Sequence, residues 1–370
     1  MLHRSSATPN RAAQTQQVLD FEHGFRAAFA CDRDERGIHV SFRSTRFAAA
    51  AALTLGTALA LSACSTGAPA ETEKAPAAED YYPVTVTDMA GNEVTIESAE
   101  SVAITDNRFF QLAADWDLPI TTAPLDLFSP NNPLADSTEI LNIGTHGEPD
   151  FEKVVAADPD LIVNGYRFSE ENAQGMKDAA PDAAFIDMNG PEDQTADEYV
   201  VESLTLMGEV FNRQAEADAL IDEFHDALAE AKDAYDPETT VMGLVTTGKD
   251  INYSNPQDGR GASIFFSLLD LTPALAAEGS ESHTGDDISL EAIAGANADF
   301  FLVLDRAAAV SEGESDQSAL ELIGSSASLA NVPAVVNDAI YVMPADYYLT
   351  EDVFAYISVL NGLAEGFNAL

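Results

Sequence analysis

The sequence predicts an α/β fold of two Rossmann-like lobes joined by one long helix, with a ligand cleft between the lobes. Three observations predict it. Strand-like and helix-like periodicities alternate through both halves of the chain, as two α/β lobes require. After Asn212, Ala215, Ala219, Phe224, Leu228 and Ala231 mark an amphipathic run of about 22 residues that Pro237 ends, long enough to link two lobes stiffly. Two segments are also copies of one another, PDFEKVVAADPDLIVNGYR and ISLEAIAGANADFFLVLDR. Glu152 aligns with Glu291, Val154 with Ile293, Asp160 with Asp299 and Arg167 with Arg306, each pair offset by 139 (291 − 152; 306 − 167) without a gap.

Each element follows from its own pattern. Val84–Ile96 alternates around Ala90-Gly91-Asn92, as a hairpin does. Ser101–Thr105 reads as a short strand, followed by a helix through Phe110 and Trp116. Pro119–Ala123 reads as a strand, and Pro124–Ser137, with Pro124, Pro130 and Pro133, as a loop. The first copy supplies a helix, a turn at Asp158-Pro159 and a buried strand. Ala184–Asp187 is a further strand. Asp197–Tyr235 is helical, with Val200, Leu204 and Met207 on one face before the linking run. Val241–Thr246 opens the second lobe as a strand, followed by a loop over Asn252–Gly261 and a helix over Ala262–Leu269. The second copy turns at Asn297-Ala298. A strand at Ala339–Met343 and a helix from Val353 complete the chain. The boundaries expected are 81–211 for the first lobe, 212–235 for the linking helix and 236–370 for the second lobe.

The N-terminus carries a targeting pattern. Arg43 and Arg46 precede an apolar run, Phe47 to Ala60, which is short of the ~18–20 residues that a membrane span needs. It ends in Leu61-Ser62-Ala63-Cys64, which resembles a bacterial lipobox and makes Cys64 the expected lipidation site. Residues 1–63 are expected to be a signal region. Residues 1–40, mixed in charge, lie ahead of its basic segment, and translation is expected to start near Val40. Residues 65–80, rich in Ala, Pro, Glu and Thr, read as a flexible tether. The cysteines are Cys31 and Cys64, so no disulfide, thiolate metal site or cysteine nucleophile is expected in the mature chain.

A net charge of −46 argues against nucleic acid as a partner. It also makes each arginine informative: from Cys64 onward these are Arg108, Arg167, Arg213, Arg260 and Arg306. Ligands of α/β sheets sit at the C-terminal ends of strands. The repeat delivers Arg167 and Arg306 there, one from each lobe, and Arg260 follows the first strand of the second lobe in Pro256-Gln-Asp-Gly-Arg-Gly261. Guanidinium forks suit anionic oxygens. The competing reading for any one Arg is an ion pair with a surface carboxylate, and the repeat register favours the ligand reading for Arg167 and Arg306. His283 and Tyr348 are expected in loops at the cleft edge of the second lobe, and nitrogen plus phenolate oxygen suits Fe(III). His146 stands in a similar place in the first lobe with a weaker claim. Glu152 and Glu291, paired by register at helix starts, read equally as partners of the helix dipoles or as docking points for a two-fold partner. No G-x-S-x-G, H-E-x-x-H, Walker A or G-x-G-x-x-G motif is present. An enzyme is not expected.

TVTDMAGNEVTI, IGTHGEPDFEKVVAADPDLIVNGYR, the loop at Arg260, HTGDDISLEAIAGANADFFLVLDRAAAV and AIYVMPADYYL together resemble the substrate-binding proteins of iron–siderophore ABC importers, above all the catecholate branch. The resemblance covers roughly residues 81–370. It implies two α/β lobes on one long helix and a ferric siderophore in the cleft as ligand, with no intrinsic cofactor. It further implies a monomer held on the extracytoplasmic face of the cell membrane by its lipid anchor alone, which delivers its cargo to an ABC permease and its ATPase. The family's arginine triad falls on Arg167, Arg260 and Arg306, its conditional iron ligands on His283 and Tyr348, and its permease-docking glutamates on Glu152 and Glu291. Haem or a corrinoid is the alternative ligand class on this fold, and a surface enzyme on the same scaffold a more distant one. Two departures stand out. The His283 loop is one residue longer than the family pattern, and the Gly-rich stretch expected after Tyr348 is replaced by Thr350-Glu351-Asp352.

Overall fold

The computed structural model describes residues 81–191, 193–280, 282–310 and 317–370. The signal region 1–63, Cys64 and the tether 65–80 lie outside them. The first lobe begins with a hairpin of β1 (Val84–Thr87) and β2 (Glu93–Ile96), paired from Val84↔Ile96 to Thr87↔Glu93. Asp88 closes its turn: the carboxylate accepts from the Asn92 amide at 2.7 Å and from the Asp187 amide at 3.2 Å, fastening the hairpin to the lobe. β3 (Val102–Ile104), α1 (Phe110–Asp115), β4 (Ile120–Ala123), β5 (Leu141–Asn142), α2 (Phe151–Ala157), β6 (Leu161–Asn164), α3 (Glu170–Ala179) and β7 (Ala184–Asp187) follow.

The five strands β3–β7 form a parallel sheet in the order β5-β4-β3-β6-β7. The chain runs outward from β3 to β5, then crosses back to β6. The loops after β3 and β6 therefore diverge and open a crevice at their C-terminal ends, the usual ligand position in such sheets. Arg108 and Arg167 stand in those two loops. Where they leave the strands, before diverging, the loops lie so close that a Cβ on Gly165 would stand 2.4 Å from Asp106 Cβ and 2.5 Å from Asp106 Cα.

α4 (Ala196–Phe211) stops at Asn212 in the left-handed conformation (φ 54°), and α5 (Gln214–Ala234) carries the chain to the second lobe. That lobe comprises β8 (Thr240–Thr247), β9 (Asp250–Ser254), α6 (Ser263–Leu269), β10 (Thr272–Pro273), α7 (Leu290–Ala296), β11 (Phe300–Asp305), α8 (Arg306–Val310), α9 (Ala319–Ser325), α10 (Pro333–Val336), β12 (Ile340–Val342), α11 (Tyr347–Thr350) and α12 (Val353–Asn368). β10-β8-β11-β12 are parallel, and β9 folds back antiparallel on β8. The loop expected from Asn252 thus begins as a strand. Ile251 and Tyr253 are buried while the intervening Asn252 turns outward and donates to the Thr284 carbonyl, so the alternation is real but short. Among the described residues no helix is long and apolar enough to cross a membrane.

Strand alternation sorts the core into layers. Val102 and Ile104, Leu161 and Val163, Val241 and Val245, and Phe300, Leu302 and Leu304 join one continuous core with the buried faces of α4, α5 and α12. Ala103 and Ile162 turn the other way, toward Val154 and Met176, and Met242, Leu244, Phe301 and Val303 toward Ile293 and Ile323. The sheets are therefore tied through α5 by a shared core, which limits how far they can move apart. The repeat is structural as well as sequential. α2 and α7 end in the left-handed Asp158 (φ 46°) and Asn297 (φ 55°), and β6 and β11 start 139 positions apart (300 − 161). The aligned aspartates brace the start of β3 in one lobe and of β8 in the other. Asp160 accepts from Ser98 Oγ at 2.6 Å and the Ser101 amide at 3.1 Å, and Asp299 from the Thr240 amide at 2.9 Å and its hydroxyl at 2.7 Å.

Candidate ligand cleft

Arg167 leaves the end of β6 two residues past the strand and Gly165. Arg260 is set by a tight loop in which the Asn255 side chain accepts from the Gln257 and Asp258 amides, both at 3.0 Å, and Ser254 Oγ donates to the Arg260 carbonyl at 2.9 Å. Gly261 follows at φ 84°, pressed against Leu304, where a Cβ would stand 2.8 Å from the leucine Cδ2. Arg306 begins α8 directly after β11. Glu351 ends α11 in the left-handed conformation, φ 46°.

These elements enclose a cavity of about 400 Å³ lined by His146, Tyr166 and Arg167 on one side and Asp258, Arg260, Ile264 and His283 on the other, with Tyr347, Glu351 and Tyr356 between. Glu351 is its electrostatic centre. Its Oε2 accepts from Tyr166 Oη at 2.8 Å, Arg167 Nη2 at 2.9 Å and Arg260 Nη2 at 3.0 Å. Arg260 also places Nη1 3.2 Å from His283 Nδ1 and donates from Nη2 to the Tyr348 carbonyl at 3.3 Å. Both cleft arginines are thus ion-paired, not with surface carboxylates as the competing reading had it, but with one shared carboxylate inside the cleft.

Arg306 and Tyr348 are not among the residues lining this cavity. The Tyr348 hydroxyl accepts from Arg306 Nε at 3.1 Å, and its ring lies 4.8 Å from the Arg260 guanidinium carbon and 5.4 Å from that of Arg306. A buried ring flanked by two guanidinium groups is a favourable cation–π arrangement, and it holds Arg260 from behind. Tyr348 stands in α11 rather than in a loop. Among the described residues no three His, Cys, Asp or Glu side chains gather closely enough to hold a metal by themselves.

Electrostatics tune the walls. Burial, then the positive charges of Arg167 and Arg260, hold the His146 pKa below the ordinary imidazole value. Burial, then Arg260, Arg167 and Arg306, do the same to His283. Lowered in this way, both rings favour the neutral form, and in His283 the Nδ1 lone pair accepts from Arg260 Nη1. Burial and the Glu351 charge push Tyr166 up to about 12, so its phenol stays protonated and donates.

The cleft continues past Tyr166 into a second cavity of about 430 Å³, where Arg108, Tyr199, Gly190 and Gln257 join Tyr166 and Tyr356 in the lining. Arg108 is clamped by Asp106, Nε to Oδ1 at 2.9 Å and Nη2 to Oδ2 at 2.5 Å, and lies between the rings of Tyr166 and Tyr199 at 4.5 and 4.3 Å. Sequence reading assigned no role to Arg108 or Tyr166. Their position just past β3 and β6, the logic that placed Arg167, was the available signal. Glu152 and Glu291 stand apart from the cleft, exposed in the first turns of α2 and α7, where Asp150 and Ser289 cap the helices instead. A groove of about 650 Å³ beside Glu291 shares no residue with the arginine cavity.

The sequence profile of the periplasmic binding protein family matches residues 102–347. The petrobactin-binding protein YclQ of Bacillus subtilis is 26% identical over 212 residues, 56% of this chain and 63% of YclQ, so the match spans somewhat under two thirds of that relative. The ferric-anguibactin-binding protein FatB of Vibrio anguillarum is 26% identical over 235 residues, 63% of this chain and 71% of FatB. The crystal structure of the periplasmic catecholate-siderophore binding protein VctP of Vibrio cholerae superposes with a TM-score of 0.62 at 20% identity, covering 76% of this chain and 98% of VctP. Two sheets, one parallel and one parallel but for β9, with a cleft lined from both lobes, accompany a profile match over most of both lobes, which places the chain in the family of periplasmic binding proteins.

Proposed function

We propose that this protein captures an anionic ferric siderophore, a catecholate complex, in the interlobe cleft and delivers it to an ABC import permease. The observation that carries this reading is the convergence of Arg167 and Arg260 on one point between the lobes, with Arg306 behind them, in a chain of net charge −46. Relatives named for petrobactin and ferric anguibactin support the ligand class. The protein acts as a carrier and not as an enzyme, a reading supported by its family and by relatives named as binding proteins. Fe(III) enters as cargo. His283 and Tyr348 serve as iron ligands when the siderophore offers too few donors. For Tyr348 this means releasing the phenol proton to solvent, while the phenolate oxygen keeps accepting from Arg306 Nε. Exposed Glu152 and Glu291 dock the two lobes on the permease, and a lipid on Cys64 anchors a monomeric protein to the extracytoplasmic face of the membrane.

Titration of purified protein with ferric catecholates, haem and cobalamin tests the ligand class. Binding of a ferric catecholate with a shifted charge-transfer band is expected. Binding of haem or cobalamin alone replaces the reading by the alternative ligand class. Mass spectrometry of the membrane fraction should find diacylglyceryl-modified Cys64 as the first residue, and an unmodified peptide across Ala63–Ser65 would remove the anchor.

A further inference from the structure

We infer that Glu351 is a charge filter, a fixed carboxylate inside the cleft that sets the net charge of the ferric complex it accepts. The inference rests on the ligand class proposed above. Glu351 Oε2 sits where an anionic ligand oxygen would be expected, accepting three donors from both sides of the cleft. The backbone on which Glu351 stands is also fixed by its flanks. Asn107 Nδ2 donates to the Leu349 and Thr350 carbonyls at 3.0 and 2.7 Å, and Ser129 Oγ and Asn131 Nδ2 donate to the Asp346 carboxylate at 2.9 and 2.7 Å. Tyr347 Oη donates to the Gly261 carbonyl at 3.2 Å, and Asp352 caps α12. These contacts pin the backbone that carries Glu351, and Tyr166, Arg167 and Arg260 hold the carboxylate itself. A ligand therefore shares the cleft with Glu351 instead of displacing it.

The charge count follows. Arg167 and Arg260 supply two positive charges at the lining and Arg306 a third behind Tyr348, Glu351 cancels one, and exposed Asp258 on the lining opposes another. Arg108 contributes none net, because Asp106 pairs with it. Fe(III) with two catecholate dianions is a monoanion, and with three it is a trianion. The monoanion nearly matches the cleft, whereas the trianion brings surplus negative charge against a fixed carboxylate. At a separation of about 6 Å and an effective dielectric near 20, that repulsion is worth more than tenfold in affinity for each added ligand charge.

The test measures dissociation constants of two probes, the ferric complexes of a hexadentate tris(catecholamide) and of a tetradentate bis(catecholamide). They are measured on the wild type, Glu351→Gln and Glu351→Gly at low and high salt. Gln keeps the size of the side chain without its charge, and Gly keeps the left-handed backbone that Glu351 adopts. The readout is the ratio of the two affinities, which cancels general effects on folding or pocket shape. In both variants the ratio should move toward the trianion by at least about tenfold, and less so at high salt. A ratio unchanged within about twofold in both variants, or equal gains for both probes, overturns the charge filter while leaving the siderophore reading standing. If neither probe binds the wild type or a variant, the siderophore reading fails and the filter fails with it.

Discussion

Replacing Arg260 by Ala removes the cation that most of the cleft is organised around. Its guanidinium meets Glu351 Oε2 at 3.0 Å, His283 Nδ1 at 3.2 Å and the Tyr348 carbonyl at 3.3 Å, with the side chain only 12% exposed. The gross attraction of such a pair is about 5 kcal/mol at an effective dielectric near 20, and desolvation of both groups offsets much of it. Glu351 also keeps Arg167 and Tyr166 as donors, so it is not left unpaired. The net loss of folding stability should be about 1–2 kcal/mol. The loss of ligand affinity should be larger, about 2–5 kcal/mol, because a desolvated ligand anion would lose a charged partner. That is roughly 30-fold to a few thousandfold in Kd. Lys at this position should rescue only part of it, since the fork cannot meet Glu351, His283 and a ligand oxygen together. Urea unfolding and ferric-catecholate titration measure the two losses. An NMR titration gives a third readout: Arg260 follows burial as a cause of the lowered His283 pKa, so that pKa should rise toward the ordinary imidazole value in the variant. A Kd unchanged within about threefold would refute the assignment of Arg260 to the ligand. An unmoved His283 pKa would refute the geometry itself.

Gly165→Ala should destabilise the protein by about 2–3 kcal/mol and weaken ligand binding, because the new Cβ meets Asp106 Cα, a backbone atom, and must push apart the loops carrying Arg108 and Arg167. Urea unfolding with a parallel titration checks both effects. Burial, with Asp115 and Asp346 adding negative charge, pushes the Asp352 carboxyl up to about 7. Between the ordinary value near 4 and about 7 the folded state then holds a proton that the unfolded state has released, so this group makes stability fall as pH rises through that window. Asp352→Asn keeps the helix cap and should be more stable than the wild type at pH 8, by on the order of 2 kcal/mol, with the difference fading at pH 4; denaturation at the two pH values measures it. The double variant Glu152→Ala, Glu291→Ala should bind ligand normally yet fail to support iron uptake by cells, and persisting uptake would return both residues to the helix-dipole role.

What the sequence determined by itself was whatever is decided over a few residues. The repeat was legible because helix, left-handed turn and strand follow one another locally. Asp158 and Asn297 fall at the turns and Leu161 and Phe300 open the strands, in one register. The same locality put Arg167 and Arg306 at strand ends. It failed for β5 and β10, two residues each, which exist only because a neighbouring strand offers its edge, and it read most of β9 as loop. It also failed for the partners within the cleft. Glu351 and Arg167 stand 184 positions apart, and Tyr166 and Glu351 185, so no periodicity links them. Glu351 was visible only as a departure from a Gly-rich pattern. Its seat at the centre of the arginines depends on how α5 and the shared core set one lobe against the other. The same is true of Arg306 and Tyr348, which the sequence placed at the cleft and the tertiary structure set behind Arg260. A side chain's direction at a strand end is settled by what packs against it from the opposite lobe, and that information is spread over the whole chain.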